Sequence, residues 1–233
     1  MTYDSADLPR VRNPVLAISA VAWLLLLIPG SSLSHAHCSA MSPPSVFAAG
    51  WALMLVAMMA PVLIPPIRYL RLRSFTHRRT RTIALFVAGY AIIWILLGAV
   101  FRILVRHVTL SAWEVLAVAL VWQASPIKQR CLNRCHAHPE LAAFGAAADL
   151  DAGRYGLTHA LWCACSCWAL MLFPMLLTQG QMLAMAAATL LIFSERLESP
   201  APPRWRWHGP RKLTRILIAQ SRIRLQSLSY GRA

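Results

Sequence analysis

Length, composition and charge together indicate that this chain belongs in a lipid bilayer. Of its 233 residues, 58% are hydrophobic and only 13% are charged, whereas a soluble domain carries about a quarter charged residues. The formal net charge of +15 would suggest nucleic acid if the basic residues formed one face of a soluble fold. They fall instead between apolar runs, so we expect the bilayer as a partner and no nucleic acid.

Six apolar runs approach the length that a helix needs to cross a bilayer core about 30 Å thick. In chain order they are 14–29, 46–67, 83–105, 108–124, 157–177 and 181–197. The sequence therefore predicts an all-α fold, a polytopic membrane bundle of about six transmembrane helices over residues 1–199. The first run is interpreted as a retained span, because Asp4 and Asp7 dilute its basic flank. The small residues of 31–36 make signal-peptide cleavage the alternative.

Lysine and arginine are distributed asymmetrically around these runs. The loops 68–81 and 128–154 are rich in them, whereas the connections 31–45 and 178–181 contain none. Basic residues in short loops favour the cytoplasmic side. We therefore predict that both termini and both basic loops are cytoplasmic.

The tail over 200–233 is predicted to form a separate cytoplasmic unit. Three prolines and two tryptophans between 200 and 207 indicate a stiff interfacial stretch, and 210–228 predicts a basic amphipathic helix. Such a helix typically lies on anionic lipid headgroups. A disordered basic tail is the alternative.

The fifth run contains three cysteines within five residues. Because helix positions four apart share a face, Cys163, Cys167 and Met171 are predicted to form one stripe of sulfur atoms. Thiolate and thioether ligands select soft metals, Cu(I) above all. Cys165 lies roughly 160–200° around the helix from the other two cysteines and is therefore the weakest candidate.

The second run repeats the four-residue spacing with Met54 and Met58. These methionines are further candidate ligands for a soft metal. Packing is the alternative for the whole sulfur set, because buried cysteine behaves as a small hydrophobic residue and methionine fills irregular gaps.

The loop after the fourth run combines Cys131 and Cys135 with two following histidines. This spacing can surround one metal ion if the segment begins as a helical turn. The loop also holds Lys128, Arg130 and Arg134. Their charge disfavours a dication and is expected to lower the pKa of the thiols. A metal site, a reactive thiol pair and solvated residues without a role all remain open.

Two carboxylates at the ends of apolar runs are candidates for ion pairing, because an ionisable group at membrane depth needs a partner. We expect Glu114, about two turns into the fourth run, to pair with Arg102, and a proton or cation relay is the alternative. We expect Glu195 to extend towards the interface beside Arg196.

These motifs together resemble a bacterial family of predicted metal-binding integral membrane proteins, domain of unknown function 2182. The matching residues are Trp51, Met54, Met58, Met59 and Pro61, then Gln123, Pro126, Lys128, Cys131, Leu132 and Cys135, then Cys163, Cys167, Trp168 and Met171, and finally Glu195. In this chain Cys165 replaces a glycine of the pattern, Ser166 replaces a cysteine, and Arg196 stands where a lysine often follows the closing Glu. The resemblance implies a bound metal and a bacterial inner-membrane location.

We therefore predict a protein that binds a soft metal, with Cu(I) favoured and zinc second, through sulfur ligands in the bundle and at the Cys131/Cys135 loop. Its role would be metal handling or metallocentre assembly, with a protein partner in metal delivery. The rival hypotheses are a thiol-redox membrane enzyme that uses Cys131 and Cys135, and a structural scaffold with packing cysteines. No residue set indicates hydrolysis or phosphate chemistry, which favours a role other than catalysis.

Overall fold

The computed structural model describes residues 7–28, 42–142, 144–177, 179–207 and 218–221. Within these ranges the fold is helical and contains no strand, which confirms the all-α prediction for this part of the chain. Its principal helices are α1 (Asp7–Leu27), α2 (Pro44–Met59), α3 (Ile64–Arg73), α4 (Arg79–His107), α5 (Ala112–Ala124), α6 (Pro126–Cys135), α7 (Gly145–Met175) and α8 (Gln181–Leu197). The stretch 31–36 and most of the predicted amphipathic helix over 210–228 lie outside the described residues.

Four helical stretches in the described ranges are long and apolar enough to cross a membrane. They are Leu8–Leu27, Pro44–Arg73, Thr76–His107 and Gly145–Met175, which correspond to the first, second, third and fifth predicted runs. The fourth and sixth runs form shorter helices, α5 with 13 residues and α8 with 17 residues. The count of six spans therefore stays a prediction.

The predicted ion pair between Glu114 and Arg102 is wrong. Glu114 lies in the first turn of α5, where the Ser111 amide donates to its carboxylate at 2.9 Å and completes a capping box. Arg102 donates instead to the carbonyl of Ser42 at 2.8 Å. The apolar run begins at 108, but the helix begins only after the Ser111 cap. Glu114 therefore accepts a hydrogen bond from a free amide at the start of α5 and does not lie two turns inside the helix.

Helix α7 occupies the centre of the described bundle, and its largest interface is with α4. At Gly89 and Gly156 an added Cβ would collide with the backbone of the opposite helix. Small residues at such crossings allow two membrane helices to approach closely. Helices α5, α6 and α8 also pack against α7, so side chains from four helices converge on it.

The two basic loops lie at the same end of the bundle. Asp149 on α7 accepts from Arg78 and from Arg81, each at 2.7 Å, and the Tyr69 hydroxyl donates to the carbonyl of Pro139 at 2.6 Å. The prediction that both loops are cytoplasmic requires this shared end. The side of the membrane that they face stays a prediction.

The segment that follows α8 runs back along α6. Asn133 and Ala201 exchange two hydrogen bonds, at 2.8 and 3.2 Å, and the Arg206 amide donates to the carbonyl of Ala124 at 3.1 Å. Trp205 and Trp207 remain exposed. The first residues of the predicted tail are therefore attached to the helix that carries Cys131 and Cys135.

Candidate metal centre

At Ser125 helix α5 ends and the chain turns into α6, which runs along α7. Ser125 caps α6 by accepting from the Lys128 amide at 3.1 Å, and Pro126 occupies the first turn, where a missing N–H costs nothing. Just before this turn, the Trp122 indole donates to the carbonyl of Cys165 at 3.0 Å. The polar sequence of α6 thus forms a helix whose buried face packs against α7.

Cysteines from α6 and α7 form a group that we call the thiol cluster: Cys131, Cys135, Cys163, Cys165 and Cys167. All five are free thiols, and Cys165 alone among them is only partly buried. The Sγ atoms of Cys131 and Cys165 are 2.7 Å apart. Cys167 donates to the carbonyl of Cys163 at 3.0 Å. Two motifs that the sequence treats as separate sites therefore lie at one helix interface.

The Cys163 side of the cluster also receives a tyrosine and an arginine. The Tyr90 hydroxyl lies 3.3 Å from Cys163 Sγ. Arg196 donates to Ser166 Oγ at 3.3 Å, and its guanidinium lies near the thiols of Cys135 and Cys163. Since α8 supplies Arg196 and α4 supplies Tyr90, four helices define this end of the cluster.

A buried ion pair lies beside the cluster. Lys128 Nζ is 2.6 Å from Glu195 Oε1, and the two side chains are only 1% and 4% exposed. The Gln123 amide donates to the same carboxylate oxygen. The expectation that Glu195 extends towards the interface is therefore wrong, because Lys128 holds it inside the protein. Burial lowers the pKa of Lys128, and the Glu195 charge opposes that shift.

Burial controls the acidity of the two α6 thiols. It raises the pKa of Cys131 to about 12 and the pKa of Cys135 to about 11. The prediction that the basic residues of this segment lower these pKa values is wrong, because Lys128 is paired with Glu195 and both Arg130 and Arg134 are exposed. Arg196 does lower the pKa of Cys135, but desolvation has the larger effect.

The methionine candidates divide into two groups. Met171 is completely buried on α7, one turn beyond Cys167. Met54 and Met58 are equally buried, but they belong to α2, which packs chiefly on α1 and is not a main partner of α7. A ligand role for each methionine stays a prediction.

Within the described ranges no three His, Cys, Asp or Glu side chains form a group that could hold a metal ion. The thiols of Cys131 and Cys165 approach each other as a pair instead. This arrangement suits an ion that accepts few ligands and is poor for structural zinc, which requires four.

Sequence reasoning undervalued Cys165 and missed the pairing of Lys128 with Glu195. A helical projection gives the side of α7 on which Cys165 lies but not its neighbour, and that neighbour is Cys131. For the ion pair a signal existed, since Gln123, Lys128 and Glu195 all belong to the motifs quoted above.

The described structure is an all-helical protein with long apolar helices and a buried thiol cluster, and such sulfur donors are typical of proteins that handle soft metals. A family model described as PpoB2, copper chaperone, matches residues 48–213. The chain belongs to this copper chaperone family. No curated protein and no solved structure matches the chain significantly.

The matched region extends from α2 through α8 and contains the whole thiol cluster. Membership supports the predicted link to copper handling and to partners in metal delivery. The resemblance to domain of unknown function 2182 and the membrane location stay predictions.

Proposed function

We propose that this protein is a membrane-embedded copper chaperone that holds Cu(I) with the thiol cluster between α6 and α7. The observation that carries the proposal is the contact between Cys131 on α6 and Cys165 on α7, two of five free cysteines on these helices, inside the region that matches a copper chaperone family. Thiolate sulfur is the ligand type that favours Cu(I) over harder ions.

The donor set fits Cu(I) better than the second choice, zinc. Cu(I) is stable with a low coordination number, so a pair of thiols from facing helices is sufficient to hold it. The absence of a three-member ligand group among the described residues argues against zinc, which takes three or four protein ligands. In this proposal Met171, which is buried one turn beyond Cys167 on α7, would add a thioether ligand.

The proposed location is the bacterial inner membrane, with both termini in the cytoplasm. Four helices of sufficient length and apolarity support membrane insertion, and the arginine-rich loops support the orientation. The basic tail would rest on anionic lipid headgroups. Copper would pass from the thiol cluster to a protein partner, as expected of a chaperone.

A thiol-redox role is the second candidate. The 2.7 Å separation of the Cys131 and Cys165 sulfurs favours this pair over the pair named from sequence, since Cys131 and Cys135 lie one turn apart on the same helix. We rank copper holding first, because the chain belongs to a copper chaperone family.

The test is copper retention by the purified full chain, loaded with Cu(I) under anaerobic reducing conditions and measured by metal analysis with thiol counting. Two double variants, Cys135→Ser/Cys163→Ser and Cys131→Ser/Cys165→Ser, identify the ligand pair, because a hydroxyl is a poor ligand for a soft ion. The matched control is Cys38→Ser, a cysteine outside the thiol cluster.

We expect one double variant to lose bound copper while the control retains it. A variant with all five cluster cysteines replaced that stays folded and keeps wild-type copper would refute the proposal. The redox alternative predicts that the purified protein holds no copper and loses two titratable thiols on mild oxidation. The Cys131→Ser/Cys165→Ser variant should then lose none.

A further inference from the structure

Arg196 is partly buried, and no carboxylate pairs with its guanidinium in the described part of the structure. Glu195, the preceding residue, is paired with Lys128. The guanidinium donates a hydrogen bond to Ser166 Oγ, and the thiols of Cys135 and Cys163 are close enough to feel its charge. Its Nε atom is buried without a partner. A cation with a buried donor is stabilised by a nearby anion, and the thiols are the neighbours that can become anionic.

We propose that Arg196 makes the thiol cluster selective for a monovalent soft cation over a divalent one by balancing its charge. This inference rests on the proposed function, because it takes the cluster as the copper site. Two thiolates and one Cu(I) carry a net charge of −1, and the guanidinium brings the sum to zero. The two thiol protons leave to solvent when the ion binds.

The same sum is unfavourable for a divalent ion. Two thiolates and Zn²⁺ or Cd²⁺ are neutral together, so Arg196 would leave a net positive charge in a buried site. A third thiolate would cancel it, but no three-member ligand group is assembled in the described residues. Softness selects the sulfur-binding metals, and Arg196 then selects among those metals by charge.

The position of Arg196 is fixed by a residue that itself contacts the cluster. Ser166 accepts from the guanidinium at 3.3 Å and donates to the carbonyl of Cys163 at 2.7 Å. These two bonds hold a planar, permanently charged donor beside the Cys163 turn of α7.

The experiment measures binding of Cu(I), Ag(I), Zn(II) and Cd(II) to the purified full chain by competition with chelators of known affinity. Each value is expressed relative to the affinity of the same ion for dithiothreitol, which removes the intrinsic preference for sulfur. We expect Cu(I) and Ag(I) to be favoured about 100-fold over Cd(II), the size of effect that an adjacent charge produces on an ionic equilibrium.

Arg196→Gln removes the charge but keeps hydrogen-bond donors, and it should lower this preference about 100-fold. Arg196→Lys retains the charge and should retain the preference. Arg130→Gln removes an exposed charge from α6 and serves as the matched control, with no expected change.

The outcomes separate the two proposals. A wild-type protein that binds neither Cu(I) nor Ag(I) refutes the proposed function itself. Tight Cu(I) binding with the same monovalent preference in Arg196→Gln overturns the role of Arg196 and leaves copper holding intact. If Arg196→Gln fails to fold, the wild-type series still decides, because Cd(II) binding as tightly as Ag(I) on the dithiothreitol scale overturns the inference.

Discussion

Replacing Lys128 by Leu should destabilise the protein far more than removing an equally short but exposed ion pair. Lys128 and Glu195 lie 2.6 Å apart and are 1% and 4% exposed. At an effective dielectric constant of 20, Coulomb's law gives an attraction of about 6 kcal/mol at this distance. Desolvation offsets part of it, and removing one partner of a buried pair typically costs about 3–5 kcal/mol, because the other charge is left uncompensated.

The matched control is Arg81→Leu. Arg81 and Asp149 are also close, at 2.7 Å, but the Arg81 side chain is 69% exposed, so we expect a loss below about 1 kcal/mol. The double variant Lys128→Leu/Glu195→Gln should recover much of the stability, because no charge remains buried without a partner.

The assay is the free energy of unfolding in detergent micelles, from denaturant titration followed by circular dichroism. The three variants are compared with the wild-type protein under identical lipid and salt conditions. Equal losses for Lys128→Leu and Arg81→Leu would refute the argument from burial. A double variant that is less stable than Lys128→Leu alone would refute the argument from uncompensated charge.

Two further predictions follow from packing and acidity. Gly156→Ala should lower the free energy of unfolding by about 1–3 kcal/mol, because the new Cβ meets the Phe86 backbone. The control Gly153→Ala has open space around its Cβ and should be neutral or slightly stabilising. Equal free energies of unfolding for the two variants would contradict the close approach of the helices. Since the pKa of Cys131 is about 12, the neutral thiol predominates at neutral pH. Its alkylation by iodoacetamide should therefore accelerate about tenfold per pH unit from pH 7 to 10. If mass-spectrometric labelling levels off by about pH 9.5, the thiol has an ordinary pKa and the prediction is wrong.

Helix positions were predictable where apolar runs and helices coincide, and not where polar residues form the helix. The run 181–197 matches α8 at both ends. Helix α7, however, begins at Gly145 rather than at 157, because its first turns contain residues such as Asp149 that a hydropathy scan excludes. Similarly, α5 begins after the Ser111 cap, which an apolar run does not show.

The sequence indicated both cysteine motifs but not that they meet. The contact between Cys131 and Cys165 joins residues 34 positions apart, and it depends on how the chain turns at Ser125. Periodicity describes one helix at a time, so it ranks residues by face and leaves the neighbouring helix undefined. The partners of Arg196 and Glu195 were unpredictable for the same reason.

The rotation of α6 about its own axis determines the positions of both Lys128 and the two α6 thiols. Lys128, Cys131 and Cys135 follow one another at intervals of three and four residues and therefore share one face of the helix. The bond from Lys128 to Glu195 thus fixes the rotation of α6 and orients the two cysteines towards α7. One residue inserted after Pro126 would turn that face by about 100° and remove all three side chains from α7 at once.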